Sequence, residues 1–189
     1  MKKISKLLGL TTIMLMLAGC SDDEIVNGVK DEHGGFVYNG FTHQEIDESD
    51  PLSVFFGEEL HTPYWDGSGN EYKTFFEQGE YNDESILVIN SQEEFQEAYM
   101  GTKKLPDVDF NQYTLIIGRT WGNDYSFELG KIILKDKGPT YELETQLLHH
   151  HYADRYVPAA ILTIFYWRLY PKLEQKAIIQ KRTVIDVNE

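Results

Sequence analysis

The stretch from Ala159 to Tyr170 constrains the fold more than any other part of the chain, because it is apolar on both of the faces that alternate along an extended backbone. A strand with one face in water alternates apolar with polar residues, whereas a strand buried on both sides does not. This segment therefore reads as a central strand. It is no membrane span: from Val157 to Tyr170 the apolar run is interrupted by Pro158 and Arg168, and a spanning helix needs about 20 apolar residues. A central strand needs flanking strands, and the rest of the sequence supplies them.

Ile86-Leu87-Val88-Ile89 reads as a compact strand, followed by Ser91-Gln92-Glu93-Glu94, in which Ser91 and Glu94 have capping-box spacing. Phe95, Ala98 and Tyr99 then fall at i, i+3 and i+4, one apolar face of a helix about two turns long, with Gly101 where the helix would stop. Tyr113 to Trp121 is a strand by its Leu115-Ile116-Ile117 run. Gly122-Asn123-Asp124 supplies turn residues and Tyr125 to Leu134 returns as a hairpin partner. Thr140 to His151 and Ala177 to Val187 complete the set, with Lys135 to Pro139 and Pro171 to Lys176 as intervening turns. No repeat of fixed period runs through the chain. Many strands, hairpin-length turns and one early helix predict an α+β fold: a mostly antiparallel sheet or partial barrel with one short N-terminal helix packed on it. A purely parallel fold would need several crossover helices.

Upstream the pattern is looser. Between Leu52 and Tyr81 short apolar pieces (Val54-Phe55-Phe56, Tyr64-Trp65, Phe75-Phe76) alternate with turn chemistry, notably Asp66-Gly67-Ser68-Gly69-Asn70. That predicts a hairpin or an ordered arm packed on the main domain. From Ser21 to Asp50 nine acids face only Lys30, among loosening glycines, which reads as a flexible spacer to which Phe36-Val37-Tyr38 could add a strand. The expected organisation is a leader over residues 1–19, an acidic tether over 20–50 and a single α+β domain over 51–189. Within it, 51–84 is an arm and 85–189 the core.

The first residues have the anatomy of a secretory signal. Lys2, Lys3 and Lys6 form a positive region, Leu7 to Ala18 an apolar one, and small residues precede the expected cut. Leu17-Ala18-Gly19-Cys20 resembles a bacterial lipobox. The resemblance implies cleavage before Cys20, acylation of its sulfur and its new amino group, and the membrane as a partner held through that lipid. Ser21-Asp22-Asp23-Glu24 resembles the acidic export signal on surface lipoproteins of the Bacteroidetes. That implies the outer face of the outer membrane, with a periplasm-facing position as the alternative.

Removing the three leader lysines takes the formal charge from −14 to −17. Nucleic acid and anionic lipid are thereby excluded as expected partners, since both reward clustered Lys and Arg. The single cysteine excludes an internal disulfide, so stability has to come from a core to which the 13% aromatic content contributes.

Four groups of residues are candidates for chemistry. His149-His150-His151 is the first, because alternate strand residues share a face and would let His149 and His151 act as metal ligands together, with Asp154 close behind. Two histidines alone do not make a site, and ordinary polar residues at a strand end are the competing reading. Asp107, Asp109 and Asn111 imitate the start of an EF-hand loop, but Gln112 stands where the turn glycine belongs and Gly118 where the bidentate glutamate belongs. The oxygens of Asp66 to Glu71 are explained by a β-turn. The remaining group is aromatic: Tyr64, Trp65, Trp121, Tyr125, Tyr166 and Trp167 are candidate stacking surfaces for a sugar or peptide, with Trp121 and Tyr125 flanking a turn as the best exposed pair and core packing as the competing reading, favoured for Trp167 inside the apolar strand. HExxH, Walker A, GxSxG and dinucleotide glycine patterns are absent from the sequence, so no catalytic residue and no cofactor is expected.

The segments Ile86 to Phe95, Leu105 to Phe110 and Tyr113 to Gly118 together resemble a stretch found in many Bacteroidetes lipoproteins of unknown function. The same order of helix, Asp-Phe pair and strand resembles the PrcB-like C-terminal domain. This chain departs from that family at Trp121-Gly122-Asn123-Asp124-Tyr125, where the family has a Gly-Gly-Tyr-like step. The combined expectation is a lipid-anchored, non-enzymatic envelope protein that binds another envelope protein or a glycan. A cryptic envelope hydrolase and a protease-regulating module of the PrcB-like kind are the alternatives.

Overall fold

The structure is a computed structural model that describes residues 24–26, 34–38, 47–62, 64–65, 68, 71–77, 84–151 and 161–188. Among them ten strands and two helices follow in the order β1 (Glu24–Val26), β2 (Gly34–Tyr38), α1 (Pro51–Glu59), β3 (Tyr64–Trp65), β4 (Glu71–Tyr72), β5 (Ser85–Ile89), α2 (Gln92–Ala98), β6 (Tyr113–Gly122), β7 (Phe127–Asp136), β8 (Thr140–His151), β9 (Leu162–Pro171) and β10 (Ala177–Asn188). One four-stranded sheet runs β2-β9-β6-β5, with every neighbouring pair antiparallel. A second runs β1-β7-β8-β10, antiparallel except at β8 and β10, which are parallel. The fold is α+β, built on two open sheets rather than on one partial barrel.

Strand β9 is the middle of this arrangement, and its sequence explains why. Its even-numbered residues Ile164, Tyr166 and Tyr170 enter a core shared with Leu129, Leu134, Leu143 and Leu147 of the second sheet. Its odd-numbered residues Phe165, Trp167 and Leu169 enter a separate core with Phe56 of α1 and Phe95 of α2. The period of two along the strand thus divides one apolar run between two cores. Neighbouring β6 does the same, with Ile116 on one side and Leu115 and Ile117 on the other. The result is three layers: helices, first sheet, second sheet.

Helix α1 corrects the expectation of a single helix. Val54-Phe55-Phe56, read as part of a hairpin or arm, is helical. The local reason is at its start, where Asp50 is the cap, its Oδ1 accepting the Leu52 N–H at 3.0 Å, and Pro51 follows with a preset φ. Leu52, Ser53, Phe55, Phe56 and Glu59 are its buried residues, and Phe56 stacks on Trp167 at 4.9 Å between ring centroids. Glu59 is a carboxylate in this interface, its Oε2 accepting the Tyr99 hydroxyl at 2.6 Å and its Oε1 meeting Lys103 Nζ at 2.9 Å. With Leu52, Phe55, Phe56, Leu60, Phe75 and Phe76 all in the core, the core begins well before residue 85. The expected hairpin is present farther along, as β3 paired with β4.

The helix at 92–98 forms as expected. Ser91 Oγ accepts the Glu94 N–H at 3.0 Å, while Glu94 Oε2 reaches back to the Asn90 N–H at 2.6 Å, one residue before the cap. Gly101 has a different role from the one expected. It is not left-handed; the ring of Tyr99 folds over it and occupies the space of its missing Cβ.

Within the segment read as an acidic tether, the strand that Phe36-Val37-Tyr38 could add is present, and Glu24–Val26 forms another. Residues 24–26 pair with β7 and residues 34–38 with β9, so parts of the 20–50 segment close the edges of both sheets. The pairing has a physical reason in side chains: Val37 and Tyr38 are buried on opposite faces, and the Tyr38 hydroxyl accepts the Leu129 N–H at 3.0 Å, linking the sheets.

Strand β10 closes the fold by an unexpected route. The chain leaves β8 in the second sheet, passes through β9 in the first, and returns as β10 alongside β8, paired continuously from Ala177↔Thr140 to Asn188↔His151. A strand in the other sheet makes the crossover that parallel neighbours require, and no helix is used.

Candidate functional site

The one cluster of metal-ligand chemistry among the described residues sits at the far end of β8 and β10. Alternation along β8 puts His149 and His151 on the face toward the first sheet and His150 on the opposite face, where its Nε2 lies 3.2 Å from Glu128 Oε2. The parallel register sets Asp186 of β10 directly beside His149. Asp186 Oδ1 is 3.1 Å from His149 Nδ1 and 2.9 Å from His151 Nε2, so one carboxylate oxygen joins both imidazoles. These hydrogen bonds, His151 first and His149 second, hold the Asp186 carboxyl below its ordinary range. On its other side the His149 ring stacks on Phe127 at 4.4 Å and 10°, and Phe127 is itself part of the inter-sheet core.

One potential ligand atom from each of His149, His151 and Asp186 lies within 4.8 Å of the others. His149 is three-quarters covered and Asp186 largely exposed, so the cluster has a fixed floor and an open mouth. The expected third partner, Asp154, lies outside the described residues; the partner that the structure supplies is Asp186. Sequence reasoning looked for it nearby in the chain, whereas it comes from a strand that is adjacent only through the crossover.

The aromatic candidates divide between two places. Trp121 is at the end of β6, its ring under the Arg182 guanidinium at 4.3 Å and its carbonyl accepting from Arg182 at 2.9 Å. Tyr125 follows in the β6–β7 turn and is exposed. Tyr64 is exposed in the β3–β4 hairpin, 5.1 Å from the His61 ring, with Trp65 next in the same strand. Trp167 is a core residue, as expected, and Tyr166 is buried as well, so it offers no stacking surface.

The EF-hand imitation resolves as a turn. The Asp109 carboxylate accepts from Gln112 Nε2 at 2.5 Å and from the Asn111 N–H at 3.1 Å, while Phe110 is buried. A charged network marks the outer face of the second sheet: Glu144 meets Lys135 Nζ at 2.7 Å and accepts from Thr183 Oγ1 at 2.9 Å, joining β7, β8 and β10. Lys135 above all holds the Glu144 carboxyl down to about 2. Cys20 lies outside the described residues, as does the leader. No helix among the described residues is long and apolar enough to cross a membrane.

The chain matches no protein family, no curated protein and no solved structure with which it was compared.

Proposed function

We propose that the chain is a lipid-anchored protein of the bacterial outer membrane, exposed at the cell surface, whose domain binds another envelope protein and performs no catalysis. The anchor rests on Leu17-Ala18-Gly19-Cys20 and the surface position on Ser21-Asp22-Asp23-Glu24. What supports the binding role, and the choice of a protein over a glycan, is β10. It is a twelve-residue strand at the edge of the described sheet, and Ile179, Val184 and Ile185 on it are 55%, 45% and 40% exposed. Edge strands are normally short, charged or covered, because their open hydrogen-bonding side accepts further strands. Lys181 and Arg182 interrupt β10 in the middle and Asp186 near its end, while Ala177-Ile178-Ile179 and Val184-Ile185 are apolar. An extended segment of a protein partner lying along it would pair its backbone and cover these side chains.

Two measurements test this reading. Mass spectrometry of native material tests the anchor: the expected product starts at an acylated Cys20, and a bare thiol or a retained leader overturns it. A photo-crosslinking residue placed at Ile185, with a control at exposed Glu93 on the opposite layer, tests the surface. One envelope protein captured from position 185 and not from 93 is expected; equal capture, or none, overturns the assignment of β10.

A further inference from the structure

We propose that His149, His151 and Asp186 form a binding site for a borderline divalent metal ion of the zinc class. The chemistry of the donors comes first: two imidazoles and one carboxylate are the ligands that such ions take, and three protein ligands leave a fourth position for water or a partner's side chain. Geometry comes second. Zinc bonds of about 2.0–2.2 Å in a tetrahedron place ligand atoms about 3.3 Å apart. The two measured edges, Asp186 Oδ1 to His149 Nδ1 and to His151 Nε2, are 3.1 and 2.9 Å. An ion would enter by spreading these atoms a few tenths of an ångström and replacing the protons that they now share.

The surroundings favour that exchange. The stack on Phe127 fixes the plane of the His149 ring, and the continuous β8–β10 register fixes Asp186 opposite it, so little ordering remains to oppose binding. His151 and Asp186 are half or more exposed, which leaves a path from solvent. His150 points to the other face and is no part of the site. Because the ligands come from two strands, the ion would fasten the edge strand to its neighbour. It would favour the folded chain, since the unfolded chain separates Asp186 from the two histidines by 35 positions or more. This inference is independent of the lipid anchor and of any partner along β10.

The test is titration of the mature chain with zinc chloride by calorimetry, beside His151→Ala, Asp186→Asn and His150→Ala variants. One ion per chain is expected, with affinity at least tenfold weaker in His151→Ala and in Asp186→Asn and unchanged in His150→Ala. Absence of binding by the parent overturns the proposal, as does Asp186→Asn with parental affinity or His150→Ala weakened as much as His151→Ala. Should a variant fail to fold, histidine ring resonances of the unaltered chain decide. Zinc is expected to shift those of His149 and His151 and to spare that of His150; shifts in all three, or in none, overturn the site.

Discussion

The ring of Tyr166 lies across Gly118, its partner in the β6–β9 register, in the space where any other residue would carry a Cβ. Tyr166 is buried among the residues between the two sheets, its hydroxyl 3.5 Å from Thr145 Oγ1, and burial pushes its phenol up to about 12. Gly118→Ala therefore forces a large ring out of a filled layer, an overpacking that costs about 1–3 kcal/mol. Urea unfolding should show a lower midpoint with an unchanged slope. A variant as stable as the parent would mean that the ring has room to move.

Phe56 ties α1 to the first sheet, fully buried against Trp167, Phe55, Phe75 and Phe95. Phe56→Ala should lose about 3–5 kcal/mol of stability, through lost burial and the cavity that remains. Exposed Tyr125 is the control, and its replacement by alanine should stay within about 0.5 kcal/mol of the parent. Equal effects of the two would detach α1 from the core.

The Tyr99 hydroxyl donates to buried Glu59 and accepts the Lys103 N–H at 3.1 Å. Tyr99→Phe keeps the ring that packs on Phe55 and Phe75 and deletes these bonds. A hydrogen bond to a buried carboxylate carries about 1–3 kcal/mol, and thermal or urea unfolding should report a loss of that order. A change below about 0.5 kcal/mol, the usual scatter for neutral substitutions, would show the hydroxyl to be dispensable.

Glu144 sets an acid limit on the outer face of the second sheet. Its carboxyl, held at about 2 chiefly by Lys135, lies below its ordinary 4.5, and Asp136 beside Lys176 is displaced in the same direction. A carboxyl whose folded pKa is lowered contributes fully above its unfolded value and loses that contribution as pH falls toward the folded one. Stability measured by urea midpoints should thus decline between pH 4.5 and about 2, and Glu144→Gln should decline less steeply there. Parallel curves for the two proteins would remove Glu144 from the acid transition.

The strands were legible as apolar runs bounded by turn residues. Thr140 to His151 forms the expected strand, and Tyr113, Ala177 and the apolar body of β9 fall where alternation and burial require. Helix α1 was hidden by two features of its own sequence. Val54-Phe55-Phe56 has strand-like composition, and the buried residues Leu52, Phe55, Phe56 and Glu59, spaced as one helix face, end in a charge. Asp50-Pro51, a cap followed by a first-turn proline, was the signal available. The histidine pair was visible because i and i+2 share a strand face. Asp186 was not, because nothing local encodes which strand lies beside β8 when the connection runs through another sheet.

That connection has a consequence for how the molecule comes together. The chain passes through β9 in the other layer before β10 pairs with β8, so the two sheets are stitched by the chain itself. Such distant pairings close late and slowly. Residues 177–188 then complete the second sheet, and without them the flank of β8 would lie bare and ready to capture a neighbour.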